Sequence, residues 1–227
     1  AMKIAAALAA GCTVVSRPSS VAPLAVGDLM SCLEDADLPA GVVNFLTGAV
    51  DPVAHTLVAD PRIRAVSFTG SPEVGHWVAS TAARTLARTS LELGGDAAFI
   101  VFDDADLDRA LDEAMFAKYR SSGQSCIAMN RLFLHEPIAE DFLARFVARS
   151  KALVMGDPLH ESTTLGPVIS VAAAERLRVW VQEAEQLGGT MLLGDPTSPG
   201  SRGPFVAPAI VLSPPKTASN SCAEIFG

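Results

Sequence analysis

No basic run occurs anywhere in this sequence, and its 227 residues carry a formal net charge of −8. Nucleic acid and anionic membrane are therefore poor partners, since both call for clustered Lys and Arg. No apolar stretch reaches the length of a membrane span, and nothing resembles a secretory signal. The apolar run from Ala1 to Ala10 is short and reads as a core helix. There is no internal repeat and no GxGxxG, so the usual dinucleotide fingerprint is absent. The four cysteines (Cys12, Cys32, Cys126, Cys222) include no CxxC pair, and His55, His76, His135 and His160 are scattered. That spacing offers no zinc site and no Cys-His or Ser-His pair, and it favours free thiols in a reducing cytoplasm.

What is present is a globular composition: 49% hydrophobic residues, 17 glycines and 15 prolines, on a chain long enough to bury a core. Strand-like, loop and helix-like segments alternate through the first 93 residues. Strands are predicted at Cys12–Val15, Val42–Leu46, Ala65–Phe68 and Thr89–Leu93, with helices over Met2–Ala10, Ala22–Asp35, Pro52–Ala59 and, capped by Ser71, Pro72–Leu86. Such alternation predicts a parallel sheet covered by helices, with ligands at the carboxyl ends of the strands. The loops there are Arg17–Ser20, Thr47-Gly48, Thr69-Gly70-Ser71 and Leu93-Gly94-Gly95.

Gly94-Gly95 reads as a boundary, giving a first domain over 1–93 and a second over 94–227. The second begins with a strand at Ala98–Phe102 and a helix over Asp106–Tyr119, with Asp103, Asp104 and Asp106 at its positive end. A strand at Arg131–Leu134, helices at Ala139–Leu153 and Ala172–Leu187, and strands at Thr190–Leu193 and Phe205–Leu212 follow, the last two around a loop at Pro196–Pro204.

Two stretches carry candidate chemistry. Ser121-Ser122-Gly123-Gln124-Ser125-Cys126 offers a thiol in a small, glycine-containing turn. Leu91-Glu92-Leu93-Gly94-Gly95 offers a carboxylate able to act as a base for a thiol or for a water. Each has a plainer reading: Cys126 as a small core residue, Glu92 as a solvated strand-end carboxylate. Thr69-Gly70-Ser71 at a strand-to-helix junction suits a phosphate, but equally suits an ordinary capped helix. Arg120 at a helix end reads as a solvated cation when taken alone.

The order of the motifs says more than any one of them. Ser16-Arg17-Pro18-Ser19-Ser20, Leu38-Pro39-Ala40-Gly41-Val42-Val43-Asn44, Ser67-Phe68-Thr69-Gly70-Ser71, Leu91-Glu92-Leu93-Gly94-Gly95, Gly123-Gln124-Ser125-Cys126, Gly166-Pro167 and Glu224-Ile225-Phe226-Gly227 together resemble the aldehyde dehydrogenase superfamily along the whole chain. Ala98–Asp108 followed by Lys118-Tyr119-Arg120 resembles the succinate-semialdehyde dehydrogenases within it.

The resemblance implies an α/β fold, with a partial Rossmann-like cofactor domain followed by a catalytic domain. It implies that Cys126 attacks the aldehyde and that Glu92 activates the water that hydrolyses the resulting thioester. Gly48, Gly70, Ser71 and Leu93 would line the cofactor, with Ser71 at the pyrophosphate, Glu224 at the nicotinamide ribose and Phe226 beside the nicotinamide. Arg17 stands where the family usually has Lys, and Ser20 where NAD-preferring members often carry Glu. A Ser beside an Arg removes the repulsion of a 2′-phosphate and adds attraction, which favours NADP over NAD. Arg120 matches the residue that grips the distal carboxylate of succinate semialdehyde, a task suited to a guanidinium fork.

Ala128 stands where some relatives carry a second Cys, so a local disulfide switch is not expected. Asp96 replaces the usual Lys or Asn, and Pro72 a Thr. By the same resemblance the chain is a central portion of a longer enzyme that assembles as a dimer or tetramer. The Asn that completes the oxyanion hole is expected to lie before Ala1. The alternative expectation is a non-catalytic remnant that binds nucleotide or a partner subunit.

Overall fold

The computed structural model describes residues 1–194, 201–214 and 223–227. They form two compact units, Ala1–Leu93 and Gly94–Gly227.

The first unit runs α1 (Met2–Ala9), β1 (Val14–Ser16), α2 (Leu24–Asp35), β2 (Val43–Phe45), α3 (Val50–Ala59), β3 (Ala65–Gly70), α4 (Pro72–Ala82), a short 3-10 turn (Ala83–Thr85) and β4 (Arg88–Leu93). The alternation expected from the sequence holds, and its strands pair in parallel: β1 with β2, and β3 with β4. These are separate two-stranded sheets. Val58 of α3, Val78 and Ala82 of α4 and the partly buried Val66, Phe68 and Leu91 make the core. Alternate residues of β3 and β4 face it, as the two-residue period of a strand requires. β3 extends further than expected, because Thr69 and Gly70 stay in register opposite Glu92 and Leu93.

The second unit contains β5 (Ala98–Val101), α5 (Leu107–Tyr119), a 3-10 turn (Arg120–Gly123), β6 (Arg131–Leu134), α6 (Glu136–Lys151), α7 (Val171–Gln186), β7 (Thr190–Leu193) and β8 (Ile210–Leu212). β5 and β6 are parallel, β7 and β8 antiparallel. Ile138, Phe142, Phe146 and Ser150 recur at helical spacing on the buried stripe of α6. Ile138, Phe142 and Phe146 meet Leu111 and Ala114 of α5 and Val101 of β5. Phe142 is fully buried, and truncating it to Ala would cost about 3–5 kcal/mol. Outside that core, Arg149 pairs with Asp112 at 2.5 Å and Arg145 with Asp108, joining α6 to α5.

The expected strand over Phe205–Leu212 is shorter, spanning only Ile210–Leu212. Pro208 has no N–H for a ladder, and the buried Arg178 takes the carbonyls of Gly203 and Phe205 at 2.9 and 2.8 Å. Part of the expected loop at Pro196–Pro204, and Cys222, lie outside the described residues. Asp106 caps α5, its Oδ1 accepting from the Arg109 N–H at 3.2 Å. Asp103 instead meets His135 at 3.0 Å, a pairing between sequence-distant groups.

Candidate functional site

The carboxyl ends of β3 and β4 lie side by side, since their register sets Thr69 opposite Glu92 and Gly70 opposite Leu93. Ser71 follows at once and caps α4. Its Oγ accepts from the Val74 N–H at 3.4 Å, and Pro72 takes the first helical position, as the local sequence predicts. The remaining N–H groups of that first turn sit at the positive end of the helix, a setting suited to an anion. Leu93 faces inward, and its Cδ atoms come within 2.7–2.8 Å of where Gly75 would carry a Cβ, so α4 rests on this strand end. Glu92 points the other way and is exposed.

A second cluster forms after β1 and β2, which parallel pairing brings to one edge. Arg17 Nη2 donates to Ser20 Oγ at 2.7 Å and to the Gly48 carbonyl at 3.4 Å. Arg17 Nε is buried with no partner among the described residues. Arg17, Ser20 and Gly48, distant in sequence in part, are thus one group with a free donor.

In the second unit the chain leaves α5 at Arg120 and turns sharply. Ser121, Ser122 and Gly123 all have positive φ (53°, 56° and 74°). For the two serines this left-handed backbone is costly and survives only where neighbours hold it. Ser122 Oγ donates to the Gly166 carbonyl at 2.9 Å. Gln124 donates to the Ser121 carbonyl at 3.1 Å and accepts from the Ile169 N–H at 2.7 Å. Beyond the turn, Ala128 and Met129 are buried. Cys126, between these anchors, is exposed as a free thiol, and its backbone N–H makes no hydrogen bond among the described residues. The thiol is therefore not a core residue, and an N–H is available beside it as an oxyanion donor.

Arg120 is exposed and lies over the Phe116 ring, 5.4 Å from guanidinium carbon to centroid. No carboxylate pairs with it among the described residues, so its fork is available to an external anion. The unusual Asp96 has its own local role: its carboxylate forms an ion pair with Arg131 Nε at 2.8 Å, and its carbonyl accepts from Arg131 Nη2 at 2.9 Å.

Glu224 is half-buried, and its carboxylate rests on Gly94, in the space a side chain at 94 would fill. Burial raises its pKa from the ordinary carboxylate value. Its Oε1 is buried with no partner among the described residues. An enclosed acceptor of that kind suits a hydroxyl donor from a ligand. Phe226 is exposed two positions on.

Two side chains escaped the sequence reading. Gln124 anchors the thiol turn, a role that depends on Ile169 being near. Lys118 donates from Nζ to the Gly227 carbonyl at 2.7 Å, and burial lowers its pKa to about 8. One signal for Lys118 was available: it continues the stripe Leu107, Leu111 and Ala114 on the buried face of α5.

Among the described residues no group of His, Cys, Asp and Glu could hold a metal ion, and no helix is long and apolar enough to cross a membrane.

Comparison with known proteins gives one consistent match. The model of the aldehyde dehydrogenase family matches residues 1–227. Glutarate-semialdehyde dehydrogenase of Pseudomonas putida is 38% identical over 225 residues, covering 99% of this chain and 46% of that protein. The NADP(+) succinate-semialdehyde dehydrogenase GabD of Escherichia coli is 37% identical, with 99% and 46% covered. Among solved structures, an NADP-dependent enzyme of Escherichia coli superposes with a TM-score of 0.94 at 37% identity, covering 99% of this chain and 47% of that one. Succinate-semialdehyde dehydrogenase from Burkholderia pseudomallei gives 0.94 at 33% identity, with 99% and 46% covered. The chain thus spans about half the length of the curated relatives it matches.

Proposed function

We propose a function from one premise: this chain belongs to the aldehyde dehydrogenase family. It is part of an enzyme that oxidises an aldehyde to its carboxylic acid, with succinate semialdehyde as substrate and NADP favoured over NAD. The observation that carries the reading is the exposed Cys126 thiol, held beside a left-handed turn with a backbone N–H unpaired among the described residues.

The Cys126 thiolate adds to the aldehyde carbon, and its own N–H stabilises the oxyanion that forms. A bound nicotinamide dinucleotide would supply the hydride acceptor for oxidation of the Cys126 thiohemiacetal to a thioester. Glu92 then takes a proton from water as that water attacks the thioester carbonyl, the C–S bond breaks, and the thiolate returns. Arg120 pairs with the distal carboxylate of the substrate.

The residues present suit that cofactor. The Ser71-capped end of α4 would hold the pyrophosphate, and Glu224 Oε1, without a partner among the described residues, would accept from a ribose hydroxyl. Arg17, already bonded to Ser20, would pair with a 2′-phosphate. Residues 1–93 accordingly form the cofactor-binding part and residues 94–227 the thiol-bearing part. The succinate- and glutarate-semialdehyde relatives support a substrate with a second acidic end. Assembly into a homo-oligomer and a cytoplasmic location belong to the same proposal.

The test is pre-steady-state kinetics on the full-length enzyme with succinate semialdehyde and NADP. Cys126→Ala should abolish NADPH formation. Glu92→Gln should keep a burst of one NADPH per site and lose steady turnover. A Cys126→Ala enzyme that still turns over would refute the reading.

A further inference from the structure

The Ala223–Gly227 strip is seated at both ends on residues that have no part in the chemistry. At one end the Glu224 carboxylate fills the space over Gly94. At the other the Gly227 backbone passes over Gly123, whose φ of +74° and bare Cα permit the approach. Between them Ile225 packs on the cluster around Val168, Ala173, Ala174 and Leu177. These contacts are steric or apolar, so they limit how near the strip comes without setting its register along the turn.

The directional link is Lys118. Its Nζ donates to the Gly227 carbonyl, 109 positions away, at 2.7 Å. Lys118, half-buried, continues the stripe of Leu111 and Ala114 on α5, where a Leu or Met would pack without drawing an ammonium partly out of water. No carboxylate pairs with it among the described residues. What distinguishes the amine from an apolar residue at this place is its hold on Gly227.

We propose that Lys118 is a positioning residue: it locks the strip bearing Glu224 and Phe226 onto the turn that presents Cys126, setting cofactor and thiol in register. Lys118 touches neither substrate nor cofactor and acts through the Gly227 carbonyl. The inference rests on Glu224 being a cofactor ligand, as proposed above.

The test measures NADP binding directly, by calorimetry on the full-length enzyme, alongside steady-state kinetics. Lys118→Met keeps the length and the apolar stem and removes the donor. It should weaken NADP binding about tenfold, the usual order for a lost charged hydrogen bond. KM for the semialdehyde and the iodoacetamide reactivity of Cys126 in cofactor-free enzyme should stay within about twofold of wild type, being properties of the turn itself. Lys118→Arg, which keeps charge and donor, should restore most of the NADP affinity. Should Lys118→Met fail to give folded protein, Lys118→Leu, which also lacks a donor, is read in its place. Unchanged NADP affinity in the donor-deficient variant, or Lys118→Arg as defective as Lys118→Met, overturns the proposal. Glu224→Gln separates the two readings: if it leaves NADP binding intact, the cofactor assignment of Glu224 fails. If it weakens binding while Lys118→Met does not, only the role of Lys118 fails.

Discussion

The carboxylate of Glu224 lies against the Cα of Gly94, in the space that any other residue there would claim with its first side-chain carbon. A glycine that reads as a domain boundary is also the floor under the acid proposed to bind the cofactor. Gly94→Ala must therefore push Glu224 aside or be pushed aside by it. The expected outcome is a loss of NADP affinity of about tenfold or more, since overpacking typically costs 1–3 kcal/mol. Calorimetric titration of the full-length variant checks it, with Cys126 alkylation as a control that should change little.

Arg120 offers a guanidinium with no carboxylate partner among the described residues, steadied only by the Phe116 ring. Arg120→Ala should raise KM for succinate semialdehyde about 10- to 100-fold, in line with a charge-assisted hydrogen bond of about 1.5–3 kcal/mol. KM for an uncharged aldehyde of similar length should move far less. Equal effects on both substrates would remove the assignment.

Coenzyme choice turns on Ser20. Arg17 already reaches Ser20 Oγ at 2.7 Å, so a carboxylate at 20 would pair with that cation and repel a 2′-phosphate. Ser20→Glu should lower the ratio of kcat/KM for NADP to that for NAD about tenfold or more, equivalent to about 1.4 kcal/mol. Parallel assays with the two coenzymes give the ratio directly.

Lys118 makes stability depend on pH in a definite direction. Burial lowers its pKa from 10.5 to about 8, so between those values the unfolded chain binds more protons than the folded one. The penalty for enclosing the ammonium is full below about pH 8 and is relieved as the pH rises to about 10.5. The stability difference between wild type and Lys118→Met should thus shift in favour of wild type over that window, by up to about 3 kcal/mol. Urea titrations of both proteins at pH 7, 8, 9 and 10 measure the difference. A flat difference would show that Lys118 titrates normally.

Much of the architecture was legible because its causes are local. Ser71 with Pro72 announces the start of α4, and Asp106 the start of α5, through groups only a few residues apart. Ile138, Phe142, Phe146 and Ser150 mark the inner stripe of α6 by helical spacing alone. The strand expected from Phe205 is shorter because the Phe205 carbonyl is taken by Arg178, on a helix 27 positions earlier in the chain. For the same reason Asp103 read as a capping acid, although its partner is His135.

The sequence by itself determined the element order, the candidate thiol and carboxylate, and the family resemblance, since all of these follow from residue type and near-neighbour spacing. Tertiary structure alone decided that Cys126 stands exposed beside a left-handed turn held by Gln124 and Ser122. It also decided that Arg17 meets Ser20 and Gly48 in one cluster, and that Glu224 rests on Gly94 while Lys118 holds Gly227. The physical reason is reach. Caps, turns and side-chain periodicity act over one or two helical turns, whereas Lys118 and Gly227 are 109 positions apart and meet only when the whole unit has folded.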